Sequence, residues 1–221
     1  MPAGQPGPSG PDRNCDLCPR LKTFRDTNRE AFPDYFNAPV PAWGAFATAR
    51  LAIVGLAPGL RGANRTGRPF TGDFAGDLLY ATLLKFGFAT GKFEKSIHDS
   101  LQLVDCAILN AVRCVPPQNK PTPAEIHTCR RFLMPALAEM PKLTIVLALG
   151  RIAHESLLRG FGEKLSARPF AHGAIFHLTQ GQRSFHLHDS YHCSRYNTQT
   201  GVLTPASFEA IFAQIRHSMS T

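Results

Sequence analysis

The chain has 221 residues, 43% hydrophobic and 18% charged, enough apolar material to bury a large core, which rules out disorder throughout. Lys and Arg number 24 against 16 Asp and Glu, a formal charge of +8 that favours a polyanionic partner such as nucleic acid over an acidic ligand. The longest apolar run, Leu143 to Leu149, falls far short of the roughly 18 to 20 residues that cross a bilayer, and the start carries no apolar leader core. An unexported cytoplasmic protein is expected, nucleoid-associated in a prokaryote, with no membrane partner.

Residues 1–14, rich in Pro and Gly, are expected to form a disordered tail, with one domain over 15–221. Short apolar runs then predict four strands, at 51–56, 103–109, 143–149 and 183–189. Helical patterns fall at 75–86, 124–140, 152–159 and 206–217. Thr122-Pro123-Ala124-Glu125 combines a capping hydroxyl, a proline at the first helical position and a carboxylate three residues after the cap; Thr204-Pro205 repeats the first two features. Gly160 reads as a helix stop. This alternation predicts an α/β fold, a three-layer α/β/α sandwich around a four-stranded parallel sheet. Ligands of such sheets bind beyond the carboxyl ends of the strands, which directs attention to residues 55–73, 110–114, 150–154 and 190–200.

The first of these segments is glycine-rich, as a backbone that approaches a ligand closely must be, but lacks the Gly-Lys-Ser/Thr of a phosphate loop and the spacing of a dinucleotide fingerprint. It ends in Arg68-Pro69-Phe70-Thr71-Gly72-Asp73, which delivers an aromatic face and a carboxylate to a helix start. Asp73 on its own reads equally as a helix cap. Asn110 closes the second strand; its amide can read the edge of a base, although an Asn there is commonly a turn residue. The fourth strand runs into a polar, aromatic loop around His192. Cys15 and Cys18 form a CxxC, with Cys114 and Cys129 far downstream. Four soft ligands suit zinc, with His127 as a substitute, or an iron–sulfur cluster; the bland alternative is four buried thiols.

Gly55 to Gly59 (GLAPG), Gly62 to Asp73 (GANRTGRPFTGD), Leu109 to Pro117 (LNAVRCVPP) and Ser190 to Pro205 (SYHCSRYNTQTGVLTP) stand in order with the four cysteines. In these blocks the chain resembles the uracil-DNA glycosylase superfamily, most closely the type B (family 5) enzymes, over nearly all of its length from Cys15 to Phe212. The resemblance implies a 4Fe–4S cluster on Cys15, Cys18, Cys114 and Cys129, and a monofunctional hydrolase that flips uracil and other deaminated bases such as hypoxanthine out of DNA and excises them, initiating base excision repair. It further implies that Asp73, His192 and Asn110 are catalytic and that Gly55, Leu56, Ala57, Gly59, Phe70 and Asn110 bind the base. Asn64, Arg65, Ser194, Arg195 and Tyr196 are implied to contact DNA, and a monomer is expected.

Stricter members carry an acidic or amide residue, and in some cases a bulky aromatic, where this chain has Ala57 and Gly59. A roomy pocket is therefore expected, with Asp73 as the water-positioning carboxylate. Cys193 stands where relatives usually have proline, which removes a rigid residue from the loop after His192. Two other classes compete: a nucleotide-binding α/β enzyme, favoured by tight binding of a free nucleotide, and a nonenzymatic metal-stabilised nucleic-acid-binding module, favoured if Asp73 and His192 prove dispensable.

Overall fold

Pro19 directly follows Cys18, and its fixed φ and missing amide donor suit a first helical position, so the first helix opens there as α1 (Pro19–Ala31). The computed structural model describes residues 10–220. Next come β1 (Trp43–Gly44), β2 (Leu51–Gly55), the single turn α2 (Ala63–Thr66), α3 (Phe74–Lys85), β3 (Ala89–Thr90), β4 (Gln102–Leu103) and β5 (Cys106–Asn110). The second half adds α4 (Pro123–Ala138), β6 (Ile145–Leu149), α5 (Arg151–Gly160), β7 (Ile175–Gln180), β8 (Arg183–Ser190), α6 (Arg195–Gln199) and α7 (Pro205–Ser220). Of the expected tail, residues 1–9 lie outside the described residues. In its remainder the Asn14 N–H donates to Asp12 Oδ1, and the Arg13 guanidinium donates to the Phe36 carbonyl.

The main sheet has six strands rather than the expected four, in the order β1-β5-β2-β6-β8-β7. The four expected strands are its parallel centre, and each edge adds one antiparallel strand. Neither edge carries the signal that reveals a buried strand. β1 is two residues long, and in β7 only Leu178 is buried. β7 joins β8 through a tight turn at Gly181 in the left-handed region, so β8 is the inner, mostly buried half of a hairpin and β7 its exposed edge.

Successive strand residues point to opposite faces, and the buried side chains sort accordingly. Leu51, Ile53, Ile108, Ile145 and Leu147 pack with α3 and α7 through Leu79, Leu83, Phe208 and Phe212. Ala52, Val54, Leu109, Val146 and Ala148 pack with α4 and α5 through Leu133, Leu137, Leu157 and Leu158. Helices thus cover both faces. The capping box at Thr122 is fully formed, and Thr204 Oγ1 accepts from the Ser207 N–H as the cap of α7. Gly160 is the last residue of α5, where the stop was expected; a Cβ there would collide with Met134, so its smallness lets α4 and α5 approach.

The register places the ends that matter side by side: Gly55 pairs with Asn110, and Leu149 with Ser190. The loops after β2, β5, β6 and β8 therefore all emerge at one edge of the sheet.

Candidate active site

At that edge a pocket holding about 260 Å³ of space is lined by Ala57, Pro58, Ala63, Phe70, Asp73, Ala75, Asn110 and His192. Its back wall depends on a glycine. A Cβ on Gly55 would sit 2.6 Å from Asn110 Oδ1 and 2.7 Å from Phe70 Cζ, so only glycine at the end of β2 lets the ring and the amide pack over it. Asn110 is buried, and its Oδ1 has no hydrogen-bond partner among the described residues. A buried acceptor left open in this way is poised for a ligand that donates.

Phe70 adopts a φ of 54°, strained for an aromatic residue, and its surroundings hold it there. Tyr80 donates its hydroxyl to the Pro69 carbonyl, and Gly76 has no Cβ to strike the Phe70 carbonyl. The buried Arg68 clamps both Asp99 carboxylate oxygens at 2.8 Å and donates from Nε to Thr71 Oγ1. Arg68, to which the sequence assigns no role, is therefore the scaffold of the Phe70 turn. Its partner Asp99 lay in a stretch with no motif.

Asp73 caps α3 through Oδ1, which accepts from the Gly76 N–H at 3.3 Å. Its other oxygen faces Gly62 and Gly59: a Cβ on Gly62 would collide with Oδ2, and one on Gly59 would lie 3.5 Å away. Burial pushes the carboxyl above its ordinary range, against the pull of the Gly76 and Ala75 amides. His192 stacks on Phe70 with centroids 5.9 Å apart and planes 26° from parallel. Protein packed around the imidazole lowers its pKa to about 4, so it is neutral at pH 7. An aromatic face, an open amide acceptor, a neutral imidazole and a carboxylate with one free oxygen thus converge on one space.

Of the other residues expected to bind a base, Ala57 lines the pocket. Leu56 and Gly55 are committed through their backbones, since their carbonyls accept from Val112 and Ala111. Gly59 is not itself among the lining residues, but a Cβ on it would lie 3.5 Å from Oδ2 of Asp73, which is.

A second cavity, of about 330 Å³ including its mouth, is lined by Cys15, Cys18, Cys114 and Cys129 together with Leu17, Leu21, Val112 and Phe132. The topology gathers the four thiols: α1 begins at the CxxC, Cys114 follows β5, and Cys129 faces inward from α4. Burial raises Cys114 to about 12 and Cys129 to about 11, the second against the Arg113 N–H that donates to its sulfur at 3.3 Å. Cys18 is raised by burial and then by Glu125 and Cys15. Among the described residues no group of three or more His, Cys, Asp or Glu is gathered to hold a single metal ion. His127 does not line the cavity; its ring lies 3.4 Å from the Arg130 guanidinium.

A profile described as the Uracil DNA glycosylase superfamily matches residues 41–216. The chain belongs to that superfamily. It is 45% identical to a type-5 uracil-DNA glycosylase of Thermus thermophilus over 91% of this chain and 92% of the relative. It is 42% identical to a type-5 uracil-DNA glycosylase of Mycobacterium leprae over 90% and 88%, and 40% identical to one of Mycobacterium bovis over 91% and 77%.

The residues that the superfamily resemblance assigned to DNA are placed unevenly. Arg65 and Arg195 are exposed; Arg195 lies over the Phe74 ring at 5.3 Å and ties α6 to the start of α3. Tyr196 is 73% exposed. Ser194 caps α6 by accepting from the Asn197 N–H. Asn64 departs from the expectation, being buried and donating from Nδ2 to Asn37 Oδ1 at 2.9 Å, so it supports the glycine-rich loop from beneath. In the loop after β8, Asn197 Nδ2 donates to the His192 carbonyl at 2.8 Å, and Cys193 is buried in the core. These contacts restrain the segment where a proline is missing. Among the described residues no helix is long and apolar enough to cross a membrane.

Proposed function

We propose that this chain is a monofunctional uracil-DNA glycosylase that hydrolyses the N-glycosidic bond of uracil in DNA and begins base excision repair. The observation that carries the reading is the unpartnered Oδ1 of Asn110 beside Phe70, Asp73 and the neutral His192, in a chain of this superfamily. The base leaves the helix to enter the pocket, at a cost of a few kcal/mol that a mismatch reduces. Phe70 supplies its stacking face, and Asn110 accepts from the base's N–H edge. As the bond breaks, negative charge grows on the base and positive charge on the sugar, so fixed groups matched to both lower the barrier. His192, uncharged, donates from a ring N–H to the base oxygen. Asp73 keeps Oδ1 on the helix cap and uses Oδ2 to orient water and stabilise the cationic sugar.

Exposed Arg65, Arg195 and Tyr196, with the formal charge of +8, suit DNA contacts. Small residues at Ala57 and Gly59 leave space for larger deaminated bases, hypoxanthine among them. The four-cysteine cavity fits a 4Fe–4S cluster: all donors are thiols, they come from the start of α1, the loop after β5 and α4, and they surround one shared space. Bound there, the cluster would tie α1 to the loop after β5 and to α4. We read the protein as a monomer.

The test is alkali-revealed cleavage of labelled duplexes with U, hypoxanthine or T opposite G, using protein with its visible cluster absorption intact. Release of uracil, with strand breaks only after alkali, is expected. No release from any duplex overturns the reading in favour of a nonenzymatic binding module.

A further inference from the structure

Two buried arginines neighbour the cavity's cysteines, Arg25 on α1 and Arg113 in the loop after β5. Arg25 on α1 is 2% exposed and Arg113, just before Cys114, is 1% exposed. Arg25 Nε, Arg113 Nε and Arg113 Nη2 are buried without a hydrogen-bond partner. Arg25 donates from Nη1 to the Cys15 carbonyl at 2.8 Å and lies within reach of the Cys114 thiol, while Arg113 neighbours Cys129. Acidic partners are poor. The carboxylate near Arg25 is Asp26, 4.0 Å away and already shared with Lys22 and Arg29; Arg113 has no ion pair among the described residues. Glu125, which also acts on Cys18, is taken by Arg20 at 2.8 Å on both oxygens.

A buried guanidinium with no counter-ion, as at Arg113, or with only a shared one at 4.0 Å, as at Arg25, is costly, so further negative charge belongs beside these two. Four neutral thiols do not supply it. Four thiolates around an oxidised 4Fe–4S core of two positive charges leave two negative charges in the cavity, and two guanidiniums balance them. We propose that Arg25 and Arg113 are the internal counter-charges of the cluster, positioning residues that govern how firmly it is held and how readily it accepts an electron. The proposal rests on the cluster reading above, since without a cluster the cavity has no dianion to balance.

The experiment compares anaerobically purified parent protein with Arg25→Gln, Arg113→Gln, the double variant, and the lysine substitution at each position. Iron content, decay of the visible absorption under a chelator, the cluster's midpoint potential by voltammetry, and thermal unfolding are measured. Loss of one charge is expected to make the potential more negative and to speed iron loss roughly 10- to 100-fold, as for other groups that support metal ligands. The double variant goes further, and lysine keeps the parental potential. Glutamine variants that match the parent in potential and iron retention overturn the proposal, as do lysine variants that fold but shift as far as glutamine, because packing and not charge would then be at work. If glutamine prevents folding, a folded lysine variant with parental iron supports the proposal, and one without iron overturns it. A parent protein without iron instead defeats the cluster reading itself.

Discussion

Phe70 and His192, from loops after the first and last parallel strands, stack at 5.9 Å and close the pocket between them. The contact sets the electrical state of the imidazole, because the protein that packs around it disfavours the charged form and holds the pKa at about 4 against an ordinary 6.5. A neutral donor can stabilise a departing anion without the base being protonated first. His192→Ala is expected to slow base release 10²- to 10³-fold, the range for losing one donor to a developing anion, with DNA affinity largely kept. Single-turnover kinetics beside a binding titration check this; equal losses in both would refute the role.

Asp73 caps α3 and is proposed to act in the chemistry, and one substitution separates the two roles. Asparagine caps a helix as well as aspartate does, so Asp73→Asn preserves the bond to Gly76 while removing the charge. Base release should fall by about 10²-fold or more with little change in melting temperature. Burial raises the Asp73 pKa, so the parent loses activity on acidification at a higher pH than an ordinary carboxylate would dictate, as the carboxylate takes up a proton. A pH–rate profile of the variant should lack that acid limb.

His188 gives a stability prediction with a defined sign. It is buried in β8 with both ring nitrogens unpartnered, and burial lowers its pKa to about 4 from 6.5. The unfolded chain therefore binds a proton before the native state does. Stability is fully present above pH 6.5, is lost as pH falls toward 4, and levels off below. His188→Leu removes two unsatisfied polar atoms and this proton linkage together. At pH 7 it should be neutral or stabilising by about 1 kcal/mol, and denaturant melts from pH 7 to 4 should show a flatter curve than the parent's.

The parallel strands and the four long helices after α1 were legible because continuous apolar runs and capping residues such as Thr122 and Glu125 are local signals. The two edge strands were not, since β1 is too short to have a period and β7 turns most of its side chains outward. At the site, Phe70, Asp73, Asn110 and His192 were legible as residues following strands. Arg68 and Asp99 were not: their bond spans 31 positions, and nothing near Asp99 in sequence marks it as buried. The same holds for Asn64, whose polar side chain suggested the surface until Asn37 appeared as its buried partner.

The Arg68–Asp99 pair predicts a coupled loss. Removing one member of a buried ion pair typically costs about 3 to 5 kcal/mol, because the other charge is left unpaired. Arg68→Ala should therefore destabilise the protein strongly and free the Phe70 turn. Arg68→Met with Asp99→Leu should recover much of the stability but little of the activity, since apolar groups fill the space without fixing Thr71. Chemical denaturation and base release on the same variants separate the two effects.

Gly55 and Gly59 stand four residues apart in one motif and should respond oppositely to a methyl group. At Gly55 a Cβ meets Asn110 Oδ1 and Phe70 Cζ at 2.6 and 2.7 Å, inside van der Waals contact, so Gly55→Ala must push aside both groups that face the base. Overpacking of this kind costs about 1 to 3 kcal/mol, and activity on uracil should fall well beyond what that loss of stability explains. At Gly59 the nearest atom to a Cβ is Asp73 Oδ2 at 3.5 Å, an ordinary contact, so Gly59→Ala should fold and excise uracil at close to the parental rate. A large aromatic at the same position extends toward the pocket beside Asp73. Gly59→Tyr should therefore lose hypoxanthine release while retaining uracil release, and paired assays on the two bases measure it. Loss of both in parallel would mean that the side chain displaces Asp73 and does not narrow the base site.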